Sequence, residues 1–516
     1  MRSKKKGKTV KNTDLECEVK IDRCAERSVD IVDIVGIIGR DPEKVKTDSR
    51  KVRKGDMFVA IKGTFNDGHD FISDVVKSGA AVVVCDHAPD DMLDNGGETR
   101  IAIVNDTKKA MGAIAKNIFN DPVSKLKMYG VTGTNGKTTS VFLTHKILSL
   151  AGVPSGIVST VYNITKDEYK VKATMTTPDI VALYGFLSAM RANHKDAAVV
   201  EISSHALSQE RVCGLELDSA IFTNITPEHL DYHKTMENYL NDKMKIFNML
   251  RKDGIGVMNV DDDTIRKVAC KNTVGRTITF GIDNNADVMA SDIRLSASST
   301  EFTVQSKDFK SFHVKTKLIG MHNVYNILGV TASLLYTGVD SAFIKKGCEL
   351  FHSVPGRLSQ ISTNAPFKVF VDYAHTPDAL ERTLRCMRSL SEKKLIAVFG
   401  CGGNRDRTKR PVMGKLAAEI CDQVYVTSDN PRNERPEDII NEIEKGMTGK
   451  KNYSLITKRE DAIAKAIKLA SQGDIIVIAG KGHENYQIIG EKMLHFDDKE
   501  VASLVLREMG YAVRNK

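Results

Sequence analysis

The 516-residue chain is 41% hydrophobic and 27% charged, and it carries a formal net charge of +9. This composition is typical of a globular protein and excludes a disordered or fibrous one, and the length corresponds to about three domains of roughly 150 residues. No apolar run approaches the ~20 residues that span a bilayer, and the N-terminus lacks the apolar segment of a secretory signal. The nine cysteines are scattered without a Cys-x-x-Cys pair, so we expect a cytoplasmic protein with reduced thiols.

Residues 1–25 are predicted to form a basic, disordered tail. Nucleic-acid binding is one interpretation of such a segment, but a solvated tail is the more common one, and we expect no nucleic-acid partner. Acidic residues follow soon after and make the segment a poor transit peptide. The basic residues are Arg2, Lys4, Lys5, Lys6, Lys8 and Lys11.

Residues 26–122 predict a small α/β domain. Short apolar runs at 57–61, 80–85 and 101–104 alternate with turn residues and helix-like stretches. Apolar runs of this length, bounded by turns, are typical of buried strands.

Residues 123–354 predict a central domain with a mostly parallel sheet. A strand at 127–132 runs into a glycine-containing loop and then into a helical stretch after Lys137. Further buried strands are predicted at 198–202 and 255–260, because both are continuous apolar runs.

Residues 355–516 predict a doubly wound, Rossmann-like domain, which begins where Pro355-Gly356 interrupts regular structure. Candidate strands at 368–371, 395–399, 423–427 and 474–478 alternate with amphipathic helical segments. A polar turn follows each strand, at residues 372–375, 400–406, 429–432 and 479–484. Ligands of open α/β sheets bind outside the carboxyl ends of the strands, so we expect these four turns to converge on one site.

The loop Gly133-Thr-Asn-Gly-Lys-Thr-Thr139 predicts a phosphate-binding site. Its glycines allow backbone N–H groups to approach phosphate oxygens, Lys137 reaches the β and γ phosphates of ATP, and Thr138 meets Mg²⁺. The alternative is an ordinary strand-to-helix turn, since Val131 occupies the position of the first glycine in the strict pattern.

Two further positions are candidate metal ligands. Glu201 follows an apolar strand, where a nucleotide enzyme needs a metal ligand or a water-orienting group, although a solvated strand end is an equal alternative. His229 and Asp231 are two residues apart, which is compatible with a metal site or with a capped helix start.

Eight ordered motifs together resemble the Mur ligases, the family that builds the peptide of bacterial cell-wall precursors. The similarity covers nearly the whole chain. The motifs are Thr-Asp-Ser-Arg50, Gly-Thr-Asn-Gly-Lys-Thr-Thr139, Thr-Thr-Pro178, Glu-Ile-Ser-Ser-His205, His-Asn-Val-Tyr-Asn326, Pro-Gly-Arg357, Asp-Tyr-Ala-His-Thr-Pro377 and Asp-Asn-Pro-Arg432.

The resemblance implies an ATP-dependent amide ligase of three domains: a uridine-nucleotide binder, a central P-loop ATPase and an amino-acid binder. It implies that ATP converts a carboxylate of UDP-N-acetylmuramoyl-L-alanyl-D-glutamate to an acyl phosphate, which an amine then attacks. Thr138, Glu201, His229 and a carbamylated Lys243 are the implied Mg²⁺ ligands, and Lys137 is catalytic with the last three. A surface lysine is the alternative for Lys243, because Asp242 precedes it where the family usually has a small residue.

The remaining site residues also follow from the resemblance. The implied contacts of the muramoyl dipeptide nucleotide are Thr47, Ser49, Thr64, Phe65, Asn66, Thr176, Thr177, Ser203, Gln209 and Arg211. The implied contacts of ATP are Gly133, Thr134, Asn135, Gly136, Lys137, Thr138, Thr139, His322, Asn323, Asn326, Arg357, Asp372 and His375.

Amine specificity is predicted at the Asp-Asn-Pro-Arg432 motif. A diaminopimelate side chain ends in an amine and a carboxylate, so a selective site needs a fixed cation and an acceptor. Arg405 and Arg432 are the candidate clamp for the carboxylate, with Asn430 and Glu484 at the ammonium. The resemblance implies meso-2,6-diaminopimelate as the amine, because lysine-adding relatives lack this arginine. The full set of implied contacts is Arg405, Asp429, Asn430, Pro431, Arg432, Gly480 and Glu484.

Three other functions remain open at this point: a lysine-adding ligase of the same family, a ligase similar to folylpolyglutamate synthetases, and a catalytically silent scaffold. The intact Lys137, Glu201 and His229 disfavour the scaffold. We expect small-molecule substrates, no membrane partner and a monomer.

Overall fold

The computed structural model describes residues 31–63, 66–88, 98–167, 169–269 and 275–514, together with the backbone of Val19–Lys20. In this part of the chain the strands form three main sheets, one after another along the sequence, and helices flank each of them. The predicted three-domain α/β fold is therefore confirmed. The exact domain boundaries stay predictions, and the rest of the basic tail lies outside the described residues.

The first sheet has five strands, with both faces covered by helices. Its strands are β1 Val19–Lys20, β2 Val45–Lys46, β3 Met57–Val59, β4 Val82–Cys85 and β5 Arg100–Val104. They lie in the order β1-β5-β4-β3-β2, with β1 antiparallel to β5 and the others parallel. The flanking helices are Ile31–Ile37, Ile72–Lys77 and Thr107–Ile118. β3 and β4 are fully buried, as their apolar runs predict.

The central sheet has eleven strands. They are β6 Lys127–Thr132, β7 Ser155–Val158, β8 Tyr162–Lys166, β9 Tyr169–Lys172, β10 Ala197–Glu201, β11 Leu217–Phe222, β12 Leu250–Asn259, β13 Arg276–Gly281, β14 Val288–Leu295, β15 Thr300–Ser306 and β16 Phe312–Thr316. Their order is β16-β15-β14-β13-β12-β11-β6-β10-β7-β8-β9. The strands from β14 to β7 in this order are parallel, which confirms the predicted mostly parallel sheet.

Antiparallel strands extend both edges of the central sheet, and the sequence did not predict them. β14, β15 and β16 form one edge, and β7, β8 and β9 form the other. β14 and β15 alternate between buried and more exposed residues and β9 is largely exposed, so these strands lack the continuous apolar run by which the central strands were recognised.

Several helices belong to the central domain. They are Lys137–Leu150, Ile180–Ala192, Ser204–Ser208, Leu230–His233, Met236–Met244, Asp263–Ala269, Met321–Tyr336 and Ser341–Leu350. The helix Met321–Tyr336 is buried along most of its length, although its first two turns contain Asn323 and Asn326. Apolar packing of the later turns therefore fixes the position of these two amides.

The third sheet has six strands with helices on both faces, which confirms the doubly wound prediction. Its strands are β17 Ser359–Gln360, β18 Lys368–Asp372, β19 Leu395–Phe399, β20 Gln423–Val426, β21 Tyr453–Leu455 and β22 Ile475–Ala479, in the order β17-β18-β22-β19-β20-β21. All but β17 are parallel. The helices are Pro377–Leu390, Lys409–Ile420, Pro436–Glu444, Arg459–Lys468 and Asp498–Glu508, and a separate hairpin consists of β23 Tyr486–Ile489 and β24 Lys492–His495.

A buried ion pair ties the C-terminal helix to the end of β22. The Arg459 guanidinium donates to both carboxylate oxygens of Asp498 at 2.6 and 2.7 Å and to the Ala479 carbonyl at 2.9 Å. Both side chains are fully buried. The pair therefore supports the turn after β22, where Gly480 and Glu484 lie.

We predict that Asp498→Ala destabilises this domain by about 3–5 kcal/mol, because it leaves a buried guanidinium unpaired. Urea unfolding followed by tyrosine fluorescence measures the change. Glu381→Ala, which removes an exposed partner of Arg385 in the same domain, is the matched control and should change stability far less. Equal effects of the two substitutions would contradict a supporting role for the buried pair.

Candidate active site

The glycine loop between β6 and the helix Lys137–Leu150 has no room for side chains at two positions. Gly133 has φ +142° and Gly136 has φ +86°, both in the region that favours glycine. A Cβ atom on Gly133 would lie 1.9 Å from Thr223 Oγ1, and one on Gly136 would lie 2.1 Å from Asn326 Oδ1. Both glycines are therefore required by close contacts with neighbouring elements.

The turn after β11 holds this loop in place. The Thr134 N–H donates to the Asn224 carbonyl at 2.8 Å, and the Asn135 N–H donates to Asn224 Oδ1 at 2.9 Å. The Thr223 hydroxyl donates to the Asn135 carbonyl at 2.6 Å. Because β11 is the parallel neighbour of β6, the turns that follow the two strands meet at the same sheet edge.

Two lysine amines converge on the Gly133 carbonyl. Lys137 Nζ donates to it at 2.9 Å and to the Thr134 carbonyl at 2.8 Å, while Lys243 Nζ donates to it at 2.8 Å. Burial lowers the pKa of Lys137, opposed by the nearby Glu201 and Glu228. Burial and the neighbouring Lys137 lower the pKa of Lys243 much further. Both effects disfavour the charged form of Lys243, which is a buried residue and not the surface lysine of the alternative interpretation.

Glu201 ends β10 as a buried carboxylate among hydroxyl groups. It accepts hydrogen bonds from Thr138 Oγ1 at 3.1 Å and from the backbone N and Oγ1 of Thr160 at 3.1 and 3.0 Å. This environment excludes the solvated strand end. Thr160 follows β7 and was not predicted, because nothing in its local sequence distinguishes it.

His229 lies beside a second carboxylate, at the start of the helix Leu230–His233. Its backbone has φ +56°, its Nε2 is 3.8 Å from Glu228 Oε1, and its ring centroid is 4.7 Å from that of His205. Burial lowers the pKa of His229 despite the adjacent Glu228. Glu228 also influences the pKa of Lys137 and Lys243. It is a site residue that the sequence prediction missed, although it adjoins the His229 motif.

The unusual Asp242 next to Lys243 has local partners. Its carboxylate contacts His233 Nδ1 at 2.9 Å and accepts from Lys245 Nζ at 2.7 Å. His233 Nε2 in turn is 3.0 Å from Ser204 Oγ, on the helix Ser204–Ser208. Asp242 therefore fixes the helix that carries Lys243. Asp231, the other predicted acidic candidate, lies in the first turn of the helix Leu230–His233 and does not line the cavity described next.

The glycine loop, Glu201, Glu228, His229 and Lys243 line a cavity of about 630 Å³ between the central and C-terminal sheets. The lining contains most of the predicted ATP residues and the dipeptide residues nearest to them. From the predicted sets it includes Thr134, Asn135, Gly136, Lys137, Thr139, Thr176, Thr177, Glu201, Ser203, Arg211, His229, Lys243, His322, Asn323, Asn326, Arg357, Asp372 and His375.

Arg357 and Asp378 cross from the C-terminal domain into this cavity region. Arg357 Nη2 donates to Thr138 Oγ1 at 3.3 Å, and Asp378 accepts from Asn135 Nδ2 at 3.0 Å and from Thr226 Oγ1 at 3.1 Å. The Nε atoms of Arg357 and Arg211 are buried and have no hydrogen-bond partner among the described residues. Two arginines with spare buried donors suit an anionic ligand.

The predicted Asp372 holds the turn that carries Arg357. Its carboxylate accepts from the backbone N–H groups of Leu358 and Ala374 at 2.6 and 2.9 Å and from the Thr383 hydroxyl at 3.2 Å. Its oxygens are thus engaged within the C-terminal domain. Asp372 therefore orients the Pro-Gly-Arg357 turn.

A second cavity, of about 940 Å³, lies between the N-terminal and central sheets. Thr47, Gln209 and Arg211 line it, and Arg211 also lines the first cavity. Ser49 and Asn66 line neither cavity, whereas Thr64 and Phe65 lie outside the described residues. Basic side chains dominate the lining, from Lys46, Lys51, Lys62, Lys108 and Arg211 against Asp48, Asp179 and Glu210.

The polar turns of the third sheet meet at one edge, as predicted. The Gly480 N–H donates to the Asp372 carbonyl at 3.1 Å, and a Cβ on Gly480 would lie 2.7 Å from Asp429 Oδ2. The Gly403 N–H donates to the Asn430 carbonyl at 2.9 Å. The turn that contains Pro431 packs so closely on Gly403 that a Cβ there would meet the Pro431 carbonyl.

The two predicted clamp arginines both lie close to Gly402. A Cβ on Gly402 would be 3.0 Å from Arg432 Nη1 and 3.8 Å from Arg405 Cγ. Arg432 has φ +52°, and its backbone bonds to the β23–β24 hairpin, with its N–H 3.0 Å from the Ile488 carbonyl and its carbonyl 2.7 Å from the Gly490 N–H. The hairpin, which the sequence did not predict, holds this left-handed turn in place.

Glu484 and the buried Lys481 complete this edge. Asn430 Nδ2 donates to Glu484 Oε2 at 2.8 Å, and Lys481 Nζ lies 3.5 Å from the same oxygen. Lys481 Nζ also donates to the Tyr486 carbonyl. Burial and the neighbouring Asp429 raise the pKa of Glu484, whereas Lys481 lowers it. Lys481 was not among the predicted residues, although it lies within a predicted turn.

Stacked side chains connect this edge to the first cavity. The Arg357 guanidinium lies over the Tyr373 ring at 4.7 Å, and the Tyr373 and His483 rings are 5.1 Å apart. On the other side Lys172 of β9 donates to Asn485 Oδ1 at 3.2 Å. The arginine-containing edge therefore lies beside the phosphate loop, although its residues come from a different domain.

Comparisons with known proteins agree along most of the chain. Family models match at residues 43–119 (Mur ligase family, catalytic domain), 131–334 (Mur ligase middle domain) and 356–482 (Mur ligase, glutamate ligase domain). UDP-N-acetylmuramoyl-L-alanyl-D-glutamate--2,6-diaminopimelate ligase 1 of Clostridium acetobutylicum is 40% identical over 92% of this chain and 97% of its own. The corresponding ligase of Clostridium tetani is 41% identical over 92% and 96%. A solved structure of such a ligase is 32% identical, with a TM-score of 0.65 over 90% of this chain and 95% of its own.

Proposed function

The chain belongs to the Mur ligase family, and from this premise we propose that it joins meso-2,6-diaminopimelate to UDP-N-acetylmuramoyl-L-alanyl-D-glutamate in peptidoglycan precursor synthesis. The reaction uses ATP and releases ADP and phosphate. One observation carries the proposal. A pair of arginines and a carboxylate, matched to an amino acid with charges at both ends, lies beside a phosphate-binding loop in a chain that is 40% identical to such ligases over 92% of its length.

ATP binds in the first cavity, with its phosphates on the glycine loop. The N–H groups in the first turn of the helix Lys137–Leu150 favour negative charge, and Lys137 supplies a cation. His322, Asn323, Asn326, Arg357 and His375 close over the nucleotide from two domains. Arg357 donates a hydrogen bond to Thr138 at the end of the loop, so this contact depends on closure of the C-terminal domain.

Mg²⁺ fits the oxygen-rich part of this cavity. Thr138 Oγ1 and Glu201 are 3.1 Å apart, and a hydroxyl and a carboxylate are the ligands that this ion prefers. His229 and Lys243, together with the unpredicted Glu228, form a second group of candidate ligands. When bound, Mg²⁺ neutralises phosphate charge and so permits a carboxylate to approach ATP.

Lys243 acts as a carbamate in this proposal. Its amine is buried, and burial together with the neighbouring Lys137 lowers its pKa well below the ordinary value, which favours the unprotonated, nucleophilic form. The nitrogen adds to CO₂ and releases a proton, and the product is an anionic oxygen ligand. This change replaces amine–amine repulsion with Lys137 by attraction.

The acid substrate spans the second and first cavities. Lysines in the second cavity match a nucleotide diphosphate, and Arg211, which lines both cavities, matches a carboxylate of the dipeptide. Thr176, Thr177 and Ser203 offer hydroxyl groups next to Glu201. The Thr177 hydroxyl already donates to the Glu201 carbonyl at 2.8 Å, which fixes its position.

The chemistry proceeds in two transfers. A substrate carboxylate oxygen bonds to the γ-phosphorus of ATP while the bond to the bridging oxygen of ADP breaks, which gives an acyl phosphate. The amine nitrogen of diaminopimelate then bonds to the acyl carbon, the carbon–oxygen bond to phosphate breaks, and the amine loses a proton. Positioning and charge neutralisation supply most of the rate enhancement in such reactions.

The amine discrimination resides at the edge of the third sheet. Arg405 and Arg432 clamp the distal carboxylate of diaminopimelate, and Asn430 and Glu484 accept its distal ammonium. Lysine has no distal carboxylate, so it would leave both guanidinium groups without a carboxylate partner, with only backbone carbonyls as their acceptors among the described residues. A polar site rejects analogues that leave its groups unpaired.

We expect the purified protein to release ADP from ATP, Mg²⁺ and the dipeptide nucleotide with meso-diaminopimelate and not with lysine. In Arg432→Ala, loss of charge-assisted hydrogen bonds worth about 1.5–3 kcal/mol should raise the KM for diaminopimelate roughly 10- to 100-fold and leave the KM for ATP unchanged. Arg407→Ala is the matched control, because Arg407 is exposed near the same edge and pairs with Glu442. Coupled ADP detection measures the KM for diaminopimelate and the KM for ATP in the wild type and in both variants.

Several outcomes would contradict this function. Equal use of lysine would make the arginine clamp wrong, and ADP release with a folate in place of the nucleotide would favour a folylpolyglutamate synthetase. Absence of any amine-dependent ADP release would favour a non-catalytic role.

A pH measurement tests whether Lys481 lowers the pKa of Glu484 in the working enzyme. Glu484 must be ionised to accept an ammonium group, so kcat/KM for diaminopimelate falls as the pH drops through the pKa of Glu484. Lys481 lowers that pKa, so Lys481→Met should raise it and move the acidic limb to higher pH. Lys415→Met, which removes an exposed lysine of the same domain, should leave the limb in place. An unshifted limb in Lys481→Met would contradict an electrostatic role for this lysine.

A further inference from the structure

Two histidines and an aspartate form a polar cluster in the N-terminal domain, away from both cavities. The His69 and His87 rings stack with centroids 4.4 Å apart and an interplanar angle of 9°. Asp86 Oδ1 lies 3.1 Å from His69 Nε2 and also contacts His87 Nδ1. One ligand atom from each of the three residues lies within 4.8 Å of the others.

The tautomer of His69 is fixed by a second carboxylate. Its Nδ1 is 2.6 Å from Asp67 Oδ1, and its Nε2 is 3.2 Å from the Asp86 backbone N–H. The carboxylate can only accept and the backbone N–H can only donate, so Nδ1 carries the proton and Nε2 presents its lone pair. His69 is buried, which holds this orientation.

The cluster therefore brings several lone pairs together. His69 Nε2 and Asp86 Oδ1 are both acceptors only 3.1 Å apart, and the second imidazole approaches the same carboxylate oxygen. Acceptors at this distance repel one another unless a proton or a metal cation lies between them. The backing of a histidine by a carboxylate on its far nitrogen is the arrangement found behind metal-binding histidines.

We propose that His69, Asp86 and His87 bind a divalent transition-metal ion such as Zn²⁺. Two imidazole nitrogens and one carboxylate oxygen suit Zn²⁺, Ni²⁺ or Co²⁺ and do not suit Mg²⁺, which prefers oxygen ligands. The His87 side chain is 71% exposed and that of Asp86 is 41% exposed, so water completes the coordination. The ion replaces the Asp86 N–H at His69 Nε2.

The position of the cluster gives the ion a structural effect. His69 belongs to the 3-10 turn Gly68–Phe71, and Asp86 and His87 directly follow β4. A bound ion would link this turn to the end of β4 and brace the adjoining residues Asn66 and Asp67. Metal binding therefore stabilises the N-terminal domain and takes no part in the ligase chemistry.

Zinc titration of the full chain tests the proposal, with calorimetry at saturating Mg²⁺ so that the ATP cavity is equally occupied in every variant. The wild type should bind one Zn²⁺ more than His87→Ala, and His87 is exposed enough that its loss leaves the fold intact. His495→Ala is the matched control, because His495 is 63% exposed and pairs with one carboxylate, Glu500, but no second histidine. It should bind zinc like the wild type.

Asp67→Asn provides the second arm of the test. It keeps an oxygen to accept the His69 N–H at the start of the turn but removes the charge behind the imidazole, so affinity should fall roughly 10- to 100-fold. Wild type with bound Co²⁺ should also show visible absorption that His87→Ala lacks. Equal zinc stoichiometry and affinity in the wild type and His87→Ala would overturn the proposal. The absence of zinc uptake by the wild type would overturn it as well.

Discussion

The carbonyl oxygen of Gly133 accepts hydrogen bonds from two buried lysine amines, Lys137 at 2.9 Å and Lys243 at 2.8 Å. Two ammonium groups so close in a buried site repel strongly, and burial alone already disfavours charge. Burial and the neighbouring Lys137 meet this constraint, because they lower the pKa of Lys243 well below the ordinary value of a lysine. Glu201 and Glu228 then balance the charge of Lys137. Hydrogen bonds from the loop to the neighbouring turn after β11 hold this arrangement in place.

The rest of the site follows from where the parallel strands end. β6, β10 and β11 end beside the loop, whereas β18, β19, β20 and β22 end at the amine edge. Arg357, held by Asp372 and stacked on Tyr373, lies between the two. A ligase must activate an acid with ATP and only then admit an amine, and separate domains allow these steps to occur in order. Domain contacts such as Asn135 with Asp378 couple them.

Sequence reasoning predicted the parts of the fold and site that depend on local signals. Continuous apolar runs predicted β6 and β19 to the residue, and the glycine loop and Asp-Asn-Pro-Arg432 were placed at strand ends correctly. Thr160, Asp378 and Lys481 were missed, because their importance arises from partners that are distant in sequence. The β23–β24 hairpin was missed because its strands are short and largely exposed. Ser49 and Asn66 were predicted as contacts of the uridine nucleotide from resemblance alone, and they line neither cavity.

If the cavity around Lys137 activates the acid independently of the amine edge, acyl phosphate should form without diaminopimelate. Hydroxylamine traps an acyl phosphate as a hydroxamate, so it reports this step. The decisive measurement is hydroxamate formation from ATP, Mg²⁺ and the dipeptide nucleotide by the Arg432→Ala variant. We expect the wild-type rate, since the hydrogen bonds of Arg432 within the described residues lie at the amine edge. A rate that falls in parallel with diaminopimelate ligation, or no hydroxamate from either protein, would contradict independent activation.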